Sequence, residues 1–90
     1  MPTCRVFKYP VPVTDEFELS MHDGSALLTV QVQNDIPQLW ALCDETAPLV
    51  QRRFHLAGTG HPIEDADHIE YVGTFQVLGG SFVGHLFERT

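Results

Sequence analysis

Positive charge is scarce in this 90-residue chain: five lysines and arginines stand against twelve acids, for a formal net charge of −7. The cations are Arg5, Lys8, Arg52, Arg53 and Arg89, scattered along the sequence. Binding a phosphate backbone takes a basic stripe, and this set makes none, so nucleic acid is not an expected partner. An acidic mimic of nucleic acid would need a dense acidic tract. The densest here is Glu64, Asp65, Asp67 and Glu70, which reads as a solvated surface.

Cysteine is nearly missing. Cys4 and Cys43 form no CxxC pair, and no basic segment followed by an apolar run opens the sequence. Free thiols that pack as small apolar residues in a reducing cytoplasm are expected. Nor is there a run of about 18 apolar residues, so no membrane-embedded segment is expected. Repeats, low-complexity tracts and linkers are absent too. Ninety residues make one domain, residues 1–90, burying roughly 60–65% of its unfolded surface.

Helical periodicity is lacking, and alternation of period two takes its place. Phe7, Tyr9, Val11 and Val13 alternate with Lys8, Pro10 and Pro12, which predicts a strand at a sheet edge or one ending near Pro10. Phe17, Leu19 and Met21 mark a half-buried strand before a turn at Asp23-Gly24-Ser25. A hairpin follows, with a turn at Asn34-Asp35-Ile36-Pro37 that sets Gln33 opposite Gln38 and Val30 opposite Ala41. Leu28, Val30, Val32, Leu39, Ala41 and Cys43 then share an apolar face, and Trp40 and Leu42 fall on the other. Leu49 to about Ala57 reads as a strand, and residues 58–67 as an irregular loop, where function concentrates.

The last hairpin is the most constrained. Leu78-Gly79-Gly80-Ser81 reads as a type I′ turn, which opposes Val77 to Phe82, Phe75 to Gly84, Gly73 to Leu86 and Tyr71 to Glu88. Gly73 and Gly84 each face a large apolar residue that can fold over the empty position. Tyr71, Phe75, Val77, Phe82 and Leu86 form the expected buried face. Six or seven short strands without helix predict an all-β fold, a small antiparallel β-sandwich or barrel.

Five strings occur in order: Lys8-Tyr9-Pro10, Val30-Gln31-Val32-Gln33, Leu39-Trp40-Ala41-Leu42, Gly58-Thr59-Gly60-His61-Pro62-Ile63 and Tyr71-Val72-Gly73-Thr74-Phe75-Gln76. As a set they resemble a family of small uncharacterised bacteriophage and prophage proteins, over most of the chain. The resemblance implies a phage-type accessory protein at work in the cytoplasm of a bacterial host. It carries over no functional residue.

Residues that bear chemistry are few. The loop Gly58-Thr59-Gly60-His61-Pro62 can expose backbone N–H groups to an anion, yet no Walker lysine or helix follows, so a glycine-dependent turn is the plainer account. His61, Asp65, Asp67 and His68 are metal-ligand types at a spacing that matches no known motif, and no metal is expected. Scattered His22, His55 and His85 read first as structural histidines. Ser20, Ser25 and Ser81 lack a nucleophile-elbow context, neither cysteine has an evident histidine, and no cofactor is implied. Arg52 shares parity with Val50, Phe54 and Leu56; an inward arginine sits at a sheet margin, pairs with an acid, or meets an anionic ligand. Trp40 divides between core and interface.

The expected function is a non-catalytic, homo-oligomeric accessory binding protein, with Arg52, Trp40, Thr59, His61 and His85 as ligand- or partner-binding candidates. Its form would be counter-defence: sequestering a small anionic nucleotide signal, or inhibiting a host defence protein. The alternatives are a minor virion structural or assembly protein and a small metal-dependent hydrolase using the His61–His68 loop.

Overall fold

Alternating apolar and polar residues broken by short turns become seven strands: β1 (Cys4–Pro10), β2 (Glu16–His22), β3 (Ala26–Gln33), β4 (Ile36–Asp44), β5 (Leu49–Gly58), β6 (Ile69–Val77) and β7 (Phe82–Arg89). The computed structural model describes residues 3–90, and no α-helix occurs among them. Sheet A has the order β1–β4–β3 and sheet B the order β2–β5–β7–β6, with every neighbouring pair antiparallel. The two sheets form a sandwich and not a closed barrel. Between them Met21, Leu39, Ala41, Cys43, Phe54 and Leu86 are fully buried, and Phe17 stacks on Phe54 with ring centres 5.3 Å apart.

β1 is an edge strand that stops at Pro10, as its prolines require. It lies earlier than the sequence suggested: it starts at Cys4, and Val13 is exposed in the connection to β2. The β3–β4 turn is also tighter than expected. Asn34 and Asp35 alone make it, at φ 53° and 61°, so Ile36 and Pro37 already belong to β4. Short polar side chains tolerate left-handed backbone, and a two-residue turn of that hand suits the strand twist. Gln33 therefore faces Ile36, and Val30 faces Leu39 instead of Ala41. A shift of two residues keeps every side chain on its face, so Leu39, Ala41 and Cys43 still point inward and Leu42 outward.

Two β-bulges supply the remaining corrections. One falls at Leu28, between Leu27 and Thr29, and turns Leu28 out to solvent while Leu27 packs on the core. The other falls at Val72, between Tyr71 and Gly73. It sets Tyr71 opposite Phe87 instead of Glu88, exposes the Tyr71 ring and brings Val72 inward. Beyond that bulge the expected pairs Gly73–Leu86, Phe75–Gly84 and Val77–Phe82 are present. The Gly79-Gly80 turn is present too, with φ 63° and 90° and the Ser81 N–H donating to Leu78 O.

The two strand glycines of the last hairpin, Gly73 and Gly84, are occupied from above. The Phe75 ring lies over Gly84, where an added Cβ would come within 2.6 Å of Phe75 Cζ. Gly73 is filled from the other sheet and not by Leu86: a Cβ there would meet Val30 Cγ1 at 2.5 Å. This contact seats β3 against β6 and closes one side of the sandwich. The other side keeps β1 and β2 as open edges.

Candidate functional site

Three surfaces are available to function, and the candidate residues divide among them. The first is the outer face of sheet A. Strand alternation places Trp40 between Lys8 on β1 and Thr29 on β3, with Leu42 beside Val6 and Ala26. Val6, Leu28 and Leu42 are 54%, 51% and 40% exposed, and Trp40 is half-buried among them. Lys8 crosses β4 as a strap: its Nζ donates to Gln33 Oε1 at 2.5 Å and stands 5.7 Å from the Trp40 ring centre, a cation–π arrangement. Among the described residues Lys8 is the only charge beside Trp40 on this face, and Asp44 lies at its margin, capped by Thr46. Gln38, next outward residue along β4, is buried and its Oε1 has no hydrogen-bond partner among the described residues. Among the described residues no further strand packs over this face.

The second surface is the 58–68 loop and the outer side of sheet B. Thr59 Oγ1 lies 2.7 Å from His85 Nε2, His85 Nδ1 lies 2.9 Å from Thr74 Oγ1, and Thr74 Oγ1 lies 2.7 Å from Tyr71 Oη. Both imidazole nitrogens are engaged, so the chain pins the loop onto β7 and fixes the ring. Thr59, Tyr71 and Thr74 are exposed, so this row of hydrogen bonds lies open to solvent. His61 lies against Gly58, where a Cβ would meet its ring at 3.2 Å, and lines a shallow 200 Å³ pocket with Asp15, His55 and Pro62. His68 and Asp65 open instead into a different cleft, with Glu64 and Arg53. The loop thus does not gather its four ligand-type residues, and no group of three or more such residues converges among the described residues.

That cleft, of about 650 Å³, is the third surface and flanks edge strand β2 at Glu16, Phe17 and Glu18. At its end Arg89 Nη2 donates to Glu16 Oε1 at 2.6 Å, and the same oxygen is 2.9 Å from His55 Nδ1. Arg89 chiefly, with His55 adding to it, holds the Glu16 carboxyl below the usual range. Arg89 also donates to Glu64 O, which ties the loop to the strand below.

Arg52 resolves as the acid-paired alternative. Its Nε and Nη2 meet Glu88 Oε2 and Oε1 at 2.6 and 2.7 Å, and Nη1 donates to Ser25 O at 2.5 Å. Glu88 raises the Arg52 pKa further. The guanidinium is a clasp between β5, β7 and the β2–β3 turn, with its fork already filled. Arg5 pairs with Glu45 and Arg89 with Glu16, which leaves Arg53 as the one arginine without an ion-pair partner among the described residues.

Trp40 stands out in the sequence, whereas Val6 and Leu28 beside it do not. Val6 shows its position by parity with Lys8, whereas Leu28 is displaced by a bulge that leaves no local mark. Glu88 has no such mark on its own strand; its parity with Leu86 places it inward, opposite Phe54 and diagonal to Arg52. A protein-family model described as a domain of unknown function, DUF7352, matches residues 2–90. No curated protein and no solved structure matches the chain.

Proposed function

The chain belongs to the DUF7352 family, and from its surface we propose that it is a non-catalytic binding protein that engages a protein partner through the Trp40 face of sheet A. The observation that carries this is the uncovered apolar cluster of Val6, Leu28, Trp40 and Leu42 on a chain of net charge −7, with no acid near its centre. Exposed apolar surface rimmed by polar side chains marks contact sites, and tryptophan is a favoured anchor. The fitting partner is a protein surface with an apolar centre that seats Trp40 and Leu42.

Capture of an anionic nucleotide signal is the less supported form. Arg5, Arg52 and Arg89 are committed to acids of the chain itself, and Arg53 opens into a cleft lined by Glu16, Glu18, Glu64 and Asp65. A phosphate there would meet more negative charge than positive. With the phage and prophage resemblance, the proposal takes its finer form: an accessory protein that inhibits a host defence protein in the bacterial cytoplasm.

The test is binding to a purified partner, first recovered from host lysate with the tagged full chain. Trp40→Ala and Leu42→Asp should each weaken binding by at least about 30-fold, the size of a hot-spot loss of about 2 kcal/mol. Arg53→Glu, on the opposite sheet, should leave it unchanged. A partner that binds both sheet-A variants as tightly as the wild type would refute the proposal.

A further inference from the structure

The open side of the sandwich carries a second, independent surface. β1 and β2 are both edge strands there, and each is bonded on one side only. Which groups are free follows from three bonds at their ends. Val11 N–H donates to Pro37 O, in register with the β1–β4 ladder, so the odd residues of β1 face β4 and the backbone of Val6 and Lys8 faces outward. Leu56 N–H donates to Asp15 O and Asp23 N–H to Pro48 O, both in register with β2–β5, so Glu16, Glu18 and Ser20 likewise present free backbone groups. Pro10, which has no N–H to offer, falls on the free side.

The two edges are opposite in charge. β1 carries Arg5 and Lys8 and no acid, while β2 carries Glu16 and Glu18 and no lysine or arginine. They are also antiparallel to each other. Cys4 pairs with Asp44 at the end of β4, His22 pairs with Leu49 at the start of β5, and only residues 45–48 separate those two positions. Between the edges Phe7, Tyr9, Phe17 and Leu19 pack on the core but stay only half-buried, so the core is incompletely covered on this side.

We propose that a second copy of this chain covers it, in a twofold dimer where β1 of each copy pairs antiparallel with β2 of the other. The twofold axis runs along the strands, so sheet A of one copy continues into sheet B of the next with outer faces aligned. Free groups meet free groups when Lys8 sits opposite Glu18 of the second copy. In that register Val6 faces Ser20, Phe7 faces Leu19 and Tyr9 faces Phe17. The apolar residues extend one core, and the charges alternate as Lys8, Glu18 and then Arg53, which is the β5 neighbour of Glu18. Lys8 exchanges its exposed bond to Gln33 for the carboxylate. Both Trp40 faces stay open, on opposite sides of the dimer, so this inference stands apart from the partner-binding proposal.

Sedimentation velocity on the full chain from about 1 μM to about 1 mM should show a monomer–dimer equilibrium. Lys8→Glu and Glu18→Lys each create like-charge cross-strand pairs twice per dimer and should weaken association about tenfold or more. The doubly reversed variant should restore it. Val6→Pro, which removes a free edge donor and no β4 bond, should abolish association while the far-ultraviolet spectrum stays β-rich. Hydrogen exchange at Val6, Lys8, Glu18 and Ser20 should slow as concentration rises. A monomer at every concentration overturns the proposal, as does a dimer indifferent to Glu18→Lys, or a double variant no tighter than the singles. Trp40→Ala should leave the equilibrium unchanged, which separates failure here from failure of the Trp40 face.

Discussion

Gly84→Ala adds one methyl group at the place where the last hairpin is packed most tightly. The new Cβ would stand 2.6 Å from Phe75 Cζ, 3.0 Å from Phe75 Cε1 and 3.1 Å from Leu56 Cδ1. Ordinary carbon contacts are about 3.5–4.0 Å, so the worst overlap approaches a full ångström. Phe75 is 4% exposed and its ring lies 6.3 Å from that of Phe82, which leaves it little room to swing away. Overpacking of this kind costs about 1–3 kcal/mol, and this overlap belongs in the upper half. Replacing glycine in a strand returns about 0.5–1 kcal/mol of backbone entropy. The net destabilisation is therefore about 1–2 kcal/mol, or roughly 5–15 °C in Tm for a domain of this size. Urea denaturation and calorimetry read both quantities. Phe75→Leu should relieve the clash, so the double variant should be more stable than the sum of the singles by about 1 kcal/mol. A neutral Gly84→Ala, or strict additivity with Phe75→Leu, would refute the packing argument.

Glu88→Ala leaves the Arg52 guanidinium with Ser25 O alone and should cost about 2–3 kcal/mol in urea, whereas Arg52→Met with Glu88→Leu should lie near wild type; a Glu88→Ala loss below about 0.5 kcal/mol would show the clasp to be idle. Leu78 holds φ 55° with its N–H donated to Asp35 Oδ1 at 2.9 Å, so Leu78→Gly should stabilise by about 0.5–1 kcal/mol and Asp35→Ala should destabilise by about 1 kcal/mol; the reverse order of midpoints would contradict the strain. Burial, then the hydrogen bond to Cys43 Sγ, pushes Tyr9 up from 10.0 to about 12. Its neutral form is favoured in the fold, so that stability is complete below about pH 10 and lost as pH rises toward 12. Absorbance at about 295 nm should show a late tyrosinate step that Tyr9→Phe removes; persistence of the step would assign it elsewhere.

What was legible beforehand was local. Alternation marks six of the strands to within about two residues at each end, because a side-chain period of two needs only neighbours along the chain. The Gly79-Gly80 turn and the register beyond it followed from backbone preferences of two residues. Asn34-Asp35 carried the same signal, but Ile36-Pro37 behind it looked equally turn-like, and only the pairing of β4 with β1 and β3 drew those residues into a strand. The bulges at Leu28 and Val72 have no comparable signature. Each answers to a neighbouring strand, and Gly73 beside the second accommodates Val30 from more than forty residues earlier, as their numbers show.

The sequence by itself therefore determined the all-β character, the acid excess, the edge position of β1 and the last hairpin, since composition and short-range stereochemistry decide these. The tertiary structure decided which side chains are left for function. Arg52 found Glu88, His85 was taken up between Thr59 and Thr74, and β3 closed against β6 while β1 and β2 stayed open. Side-chain pairing across two sheets depends on distances between segments far apart in the chain, and alternation along a strand contains no such distance.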